Sequence, residues 1–158
     1  MFVKKFIIAI NSAQGVRRII VETNLLREYE IPEFTISQDE MERVIYHVLS
    51  SELDHEDDYS LSVINVNDET IRDLNEQYRD KDEATDVLTF VNDCIYEDEP
   101  LVELGDIFIS LETIKRQAVR FETTFEREYL FMLIHGLLHL CEYDHEESFN
   151  DHEEMFIR

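Results

Sequence analysis

The sequence predicts an α+β fold: one mixed, mostly four-stranded sheet packed with helices. Three observations carry that expectation. Short β-rich segments alternate along the chain with segments of helical periodicity, as elements sharing one sheet do. Residues that cap helices stand in front of the periodic segments. The most apolar helical segment, from Tyr129 to Leu140, is hydrophobic almost all round, so it runs through the protein's middle.

The elements follow in order. Residues 16–23 read as a strand, while residues 5–10 are either a further strand or part of an N-terminal extension over 1–15; the sequence leaves that choice open. Ser37 with Glu40 forms a capping-box pattern, and Met41, Val44, Ile45, Val48 and Leu49 then recur at helical spacing, predicting a helix over 38–52. Residues 59–66 alternate as a strand, after which Asn67 or Asp68 caps a helix through Ile71, Leu74 and Tyr78. Residues 86–91 and 104–109 are short strands, and Ser110 is placed to cap a helix through Ile114, Ala118 and Phe121. Thr123 with Glu126 is expected to cap the next helix, and a last short helix is expected over 149–157.

Within the apolar helix and just beyond it stand His135, His139 and His145, three of the chain's six histidines. Side chains four residues apart lie one turn above the other on one helix face, so His135 and His139 point at a common place. Polar Glu142, Tyr143 and Asp144 precede His145 and allow the chain to turn back. Three imidazoles closing one corner leave a fourth tetrahedral position for water, the arrangement of a catalytic zinc ion. Histidines in an apolar helix also need partners, since a buried unpaired polar group costs about 1–3 kcal/mol, and a shared metal would partner both. Gly136 costs the helix about 1 kcal/mol relative to alanine, so it is expected to clear room for another backbone or a substrate. Glu142 and Asp144 are candidates for contact with the bound water or the surrounding shell. Cys141 is close enough to ligate, but reads better as a small apolar residue at the helix end.

With 158 residues and 44% hydrophobic content the chain can bury one core, so a single domain over 1–158 is expected. Two cysteines do not make a disulfide framework, no segment could span a membrane, and a cytoplasmic location fits. The formal charge of −23 excludes unspecific attraction to nucleic acid as a driving force. A polyanionic substrate must therefore meet a local basic patch, and the candidates are Arg79 with Lys81, and Lys115, Arg116 and Arg120 on one helix.

Several separated segments resemble one family. Leu74-Asn-Glu-Gln-Tyr-Arg79, Thr85-Asp-Val-Leu-Thr-Phe90, Leu104-Gly-Asp-Ile107, Gln117-Ala118, Glu126-Arg-Glu128 and His135-Gly-Leu-Leu-His139 with Tyr143-Asp-His145 are similar to the YbeY family of bacterial metal-dependent endoribonucleases, in the family's order. The resemblance covers 59–145 well and 33–58 in pattern, giving a family-like core over 33–145. It implies a zincin-like metal-bearing central helix, one zinc ion per chain held by His135, His139 and His145, and Arg79 as the family's required arginine. It further implies a single-strand-specific endoribonuclease acting in ribosomal RNA maturation, at the 3′ end of the small-subunit RNA, and in ribosome quality control. The partners implied are ribosomal RNA or the small subunit, with ribosome-associated proteins. Asp86, Thr85 and Asp106 read as fixing the wall of a cleft. The sequence departs from the family pattern at Glu142, where glycine is usual, and at Ala84 and Val91, where proline is frequent.

A planar guanidinium at Arg79 suits phosphate, which it can hold by two parallel hydrogen bonds; the alternative is a helix-end cation complementing the dipole. No glutamate follows His135, so the base of the His-Glu-x-x-His peptidases is missing. A zinc peptidase, whose metzincin spacing matches 135, 139 and 145, is one alternative. A non-catalytic ribosome-associated module stapled by metal is the other.

Overall fold

The computed structural model describes residues 3–13, 15–24, 36–53, 57–92 and 101–141. Nine elements follow one another: β1 (Val3–Ser12), β2 (Gly15–Asn24), α1 (Gln38–Glu52), β3 (Asp58–Val66), α2 (Asp68–Arg79), β4 (Val87–Val91), β5 (Leu101–Ser110), α3 (Leu111–Arg120) and α4 (Phe125–Cys141). The strands form one mixed sheet in the order β1-β2-β3-β5-β4. Pairing is antiparallel at both edges, β1 with β2 and β4 with β5, and parallel between β2, β3 and β5. The sheet thus has five strands, not the four expected. The difference is the N-terminal segment, which pairs with β2 from Val3↔Asn24 to Ser12↔Gly15. Its inward residues Phe6, Ile8 and Ile10 are buried in the main core.

Side chains alternate across the sheet, so the two faces build different cores. On one face Ile19, Val21, Leu61, Val63, Ile107 and Ile109 pack with Met41, Ile45 and Leu49 of α1 and Tyr129, Leu133 and Leu137 of α4. Burying a side chain such as Ile45 completely contributes about 1.5–3 kcal/mol. On the other face α2 presents Ile71 and Leu74 to Ile64, Val66, Leu88, Phe90 and Phe108.

Local signals set the helix ends. Ser37 Oγ accepts from Glu40 N while a Glu40 carboxylate oxygen accepts from Ser37 N, both at 3.2 Å, the expected capping box. Asn67 caps α2 through Thr70 N at 2.8 Å, and Ser110 caps α3 through Thr113 N at 3.4 Å. The cap of α4 differs from expectation: Thr124, not Thr123, accepts from Arg127 N, at 3.1 Å. Thr123 is already committed, since its N–H closes the end of α3 on the Ala118 carbonyl at 2.9 Å, with Glu122 in the left-handed region at φ 54°. The helix expected over 149–157 lies outside the described residues.

A bulge shapes β5. Ser60 faces Glu103 but Leu61 faces Gly105, leaving Leu104 as the extra residue. Gly105 sits at φ +138°, and a Cβ there would collide with the Phe90 carbonyl oxygen, so only glycine fits.

Candidate active site at the β4 edge

α4 packs against α1, α3, β4 and β5, which fixes the face it turns outward from the core. Gly136 is where it approaches the sheet. A Cβ at this position would stand 2.8 Å from Ile107 Cγ2. The room expected for a backbone or a substrate is therefore filled by the Ile107 side chain of β5. On the helix face carrying the histidines, His135 Nε2 and His139 Nε2 converge to 2.7 Å, with ring centroids 4.4 Å apart. Both rings are half-buried. Glu128, 3% exposed, lies on the same helical face seven residues before His135.

The donor chemistry of this pair fits a zinc ion. Two ring nitrogens aimed at one place are the donor arrangement zinc takes; otherwise one ring must donate a proton to the other. Among the described residues no group of three or more His, Cys, Asp or Glu side chains is placed to hold a metal ion. His145, Glu142 and Asp144 lie outside the described residues. Cys141 ends α4 and packs against the core, the expected apolar role.

Arg79 is the last residue of α2, exposed, and its Nη2 donates to the Thr89 carbonyl of β4 at 3.2 Å. β4 is thus the element shared by the two halves of the candidate site: α4 packs on it and Arg79 bonds to it. Asp80 ends α2 in the left-handed region at φ 59°, which aspartate tolerates better than most residues. The loop after it is tied back twice. Buried Asn75 donates to the Glu83 carbonyl at 2.9 Å, and Arg72 grips Asp82 with two bonds of 2.7 and 3.1 Å. Asn75 is a loop-anchoring residue that sequence reasoning misses, although a polar residue inside the stripe of Ile71, Leu74 and Tyr78 is its signal.

Asp86 fixes the start of β4, as expected of a wall residue. Its Oδ1 accepts from Val87 N at 2.8 Å and Thr85 Oγ1 at 3.3 Å, its Oδ2 from Gln117 Nε2 at 3.0 Å. Its carbonyl accepts from Ser110 N at 2.9 Å. Asp106 is elsewhere, on the opposite sheet face from α4, where it lines a cleft of about 530 Å³ with Glu22, Glu103, Ser60, Ser62 and Phe90. Burial raises its carboxyl above the ordinary range, partly offset by a hydrogen bond from Ser62.

The expected basic patch is divided. Lys81 is exposed just after α2, and Lys115, Arg116 and Arg120 lie on α3. Arg116 is engaged, pairing with Asp68 at 2.8 Å and donating to Thr113 Oγ1 at 3.0 Å. Arg120 lies 5.6 Å from the Phe121 ring centroid.

The chain resembles known proteins over most of its length. The profile of the family described as Endoribonuclease YbeY matches residues 27–158. Among curated proteins, Endoribonuclease YbeY of Petrotoga mobilis is 36% identical over 136 residues, covering 86% of this chain and 89% of that protein. The Staphylococcus carnosus protein of the same name is 44% identical over 110 residues, covering 65% and 69%. A solution structure of a Thermotoga maritima protein, 32% identical, aligns over 73% of this chain and 76% of that one with a TM-score of 0.47. The chain therefore belongs to the YbeY family of endoribonucleases, and with it to the hydrolytic nucleases.

Proposed function

We propose that this chain is a zinc-dependent, single-strand-specific endoribonuclease that matures ribosomal RNA at the 3′ end of the small-subunit RNA and serves ribosome quality control in the cytoplasm. The observation that supports it most is the convergence of His135 and His139 Nε2 on one place. His145 is the third member of the set, and together the three imidazoles would hold one zinc ion. When bound, such an ion supplies Lewis acidity to water and to a phosphoryl oxygen.

The protein's own part is positioning and charge. Arg79 holds the phosphate being cut: the bond to Thr89 anchors one corner of a guanidinium with five N–H donors, leaving a planar fork to take phosphoryl oxygens side by side. Asp86, through Val87 and Gln117, keeps β4 and hence the Thr89 carbonyl in place. Glu142 and Asp144 would stand beside the reacting water, and Lys81, Lys115 and Arg120 would meet flanking phosphates. Gly136, packed on Ile107, carries no carboxylate to act as a peptidase base. No helix of the described residues is long and apolar enough to cross a membrane.

The test is metal analysis of the purified protein together with cleavage of a defined small-subunit RNA 3′ fragment. Stoichiometric zinc with endonucleolytic products from the single-stranded region is the expected result. Bound zinc with no cleavage, and unfolding on chelation, would favour a metal-stapled binding module instead.

A further inference from the structure

Ile71, Leu74 and Tyr78 share one side of α2, the side turned to the sheet. Burial falls along that stripe: Ile71 is fully buried, Leu74 half-buried, and Tyr78 stands 60% exposed. The tyrosine ring meets that of Phe90 edge to face, with centroids 5.1 Å apart and planes at 70°, and Phe90 meets Phe108 in the same way at 5.6 Å and 88°. Whichever ring of the first pair gives the edge, at least one face of Tyr78 remains uncovered by Phe90. The support itself is fixed, because the Phe90 carbonyl lies against Gly105 and the Asn92 N–H donates to the Leu104 carbonyl at 3.1 Å. Arg79, the next residue, reaches the neighbouring position of the same strand, its Nη2 donating to the Thr89 carbonyl. At either end of β4, Asp86 and Asn92 bond to β5, so by alternation the backbone of Thr89 faces the open edge of the sheet. An exposed aromatic ring and an exposed guanidinium thus stand side by side over Thr89 and Phe90.

We infer that Tyr78 is a base-stacking platform, taking the unpaired nucleobase next to the phosphate that Arg79 holds. The inference rests on the endoribonuclease reading and names what such an enzyme recognises in its substrate, a base outside a duplex. Two physical reasons select a nucleobase as the occupant. On a chain of charge −23, long-range attraction to phosphate contributes little, whereas stacking engages the uncharged face of a base and needs no cation. Bases inside a double helix are already stacked and paired, so only single-stranded RNA can lay one on the tyrosine. The edge position of β4 suits the same substrate, since a strand crossing the sheet edge at Thr89 meets the guanidinium and the ring in turn.

The experiment compares the full wild-type chain with Tyr78→Phe, Tyr78→Leu and Tyr78→Ala. Binding of a single-stranded 2′-O-methyl RNA of about nine nucleotides, its integrity checked on a gel, is followed by fluorescence anisotropy across a salt series. Tyr78→Phe should bind within about twofold of wild type, and the leucine and alanine variants about tenfold more weakly, inside the range of about five- to over a hundredfold that one base on an aromatic ring contributes. The slope of log K against log salt should stay as in wild type, because no cation is lost, while Arg79→Ala lowers it by about 0.7. A duplex of the same sequence, which has no base to offer, should bind wild type and the three Tyr78 variants alike within about twofold. An abasic nucleotide is then moved through the RNA one position at a time. At one position wild type should lose about fivefold or more and Tyr78→Ala less than about twofold, since the ring that met the missing base is already gone. Tyr78→Leu, which keeps an apolar contact with Phe90, takes the place of alanine in this cycle if alanine disturbs folding by circular dichroism. On unmodified RNA KM should rise with kcat nearly unchanged, as loss of uniform binding requires. Equal binding by wild type and Tyr78→Leu overturns the inference. So does an equal loss on single strand and duplex, which would make Tyr78 a support for Arg79, and so do abasic and Tyr78→Ala losses that multiply at every position. A wild type that shows the whole binding pattern but never cuts RNA keeps the platform and overturns the nuclease reading. One that cuts RNA while the leucine and alanine variants bind and cut as it does overturns the platform alone.

Discussion

His135 Nε2 and His139 Nε2 lie 2.7 Å apart on one face of α4, close enough to share a proton or to face one common ion. The helix brings them together by its own repeat, and Gly136 lets it lie against Ile107 without a Cβ in the way. The first relationship is chemical and the second steric, and each can be changed separately.

Replacing Arg79 by alanine removes the guanidinium proposed to hold the phosphate and leaves the His135–His139 pair untouched. RNA cleavage is expected to fall at least about a hundredfold, the scale on which a single charge-stabilising donor acts, with zinc content and thermal midpoint unchanged. Arg79→Lys should restore little, because an ammonium cannot make the two parallel bonds. Full activity in either variant would remove Arg79 from the site.

Gly136→Ala places a methyl group 2.8 Å from Ile107 Cγ2, so the helix or the strand must give way. Overpacking of this kind costs about 1–3 kcal/mol, more than the roughly 1 kcal/mol that alanine gains as a helix former. The variant should therefore be less stable in urea. In an Ile107→Ala background the same substitution should become neutral or stabilising, since the methyl then enters vacated space. A stabilising effect in the wild-type background would show that α4 does not lie this close to β5.

Tyr129 is fully buried and donates its hydroxyl to Asn65 Oδ1 at 2.7 Å, while Asn65 exchanges hydrogen bonds with Asn24 on β2. Burial pushes the phenol's pKa up despite the bond to Asn65, so it stays protonated and donating at every working pH. Tyr129→Phe should cost about 1–3 kcal/mol, the penalty of stranding a buried acceptor, read as a lower urea midpoint at unchanged m value. A neutral result would mean that Asn65 finds another donor.

Asp68 supplies the pH dependence. Burial raises its pKa, but the Arg116 guanidinium and the hydroxyls of Ser110 and Thr113 outweigh that effect and hold the carboxyl below the ordinary range. A depressed folded-state pKa stabilises the fold fully above the unfolded value of about 4 and loses that contribution as pH falls through the folded value. Wild type should exceed Asp68→Asn in stability at neutral pH, with the gap closing as pH drops below about 4. A gap that persists in strong acid would contradict the assignment.

What can be read from the sequence is what local chemistry decides. Ser37 with Glu40, Asn67 and Ser110 cap the helices they precede because a cap needs only its own next three residues. The histidine pair is legible for the same reason, since helical spacing alone puts positions 135 and 139 on one face. Long-range pairing is not. Whether residues 3–12 form a strand depends on β2 offering a free edge, which nothing within those residues states. Thr124 rather than Thr123 caps α4 because α3 claims Thr123 first, a competition between neighbouring elements. Arg116 reads as an open cation in sequence, and only folding places Asp68 beside it. His145, Glu142 and Asp144 remain expectations of the sequence, outside the described residues.

The most direct test compares wild type with His139→Ala for zinc content and for cleavage of one small-subunit RNA fragment, with folding checked by circular dichroism. The pair of converging imidazoles predicts about one zinc ion per chain in wild type, zinc absent or greatly weakened in the variant, and cleavage abolished with the fold intact. A folded His139→Ala protein that still retains zinc and cuts the fragment at the wild-type rate would contradict it.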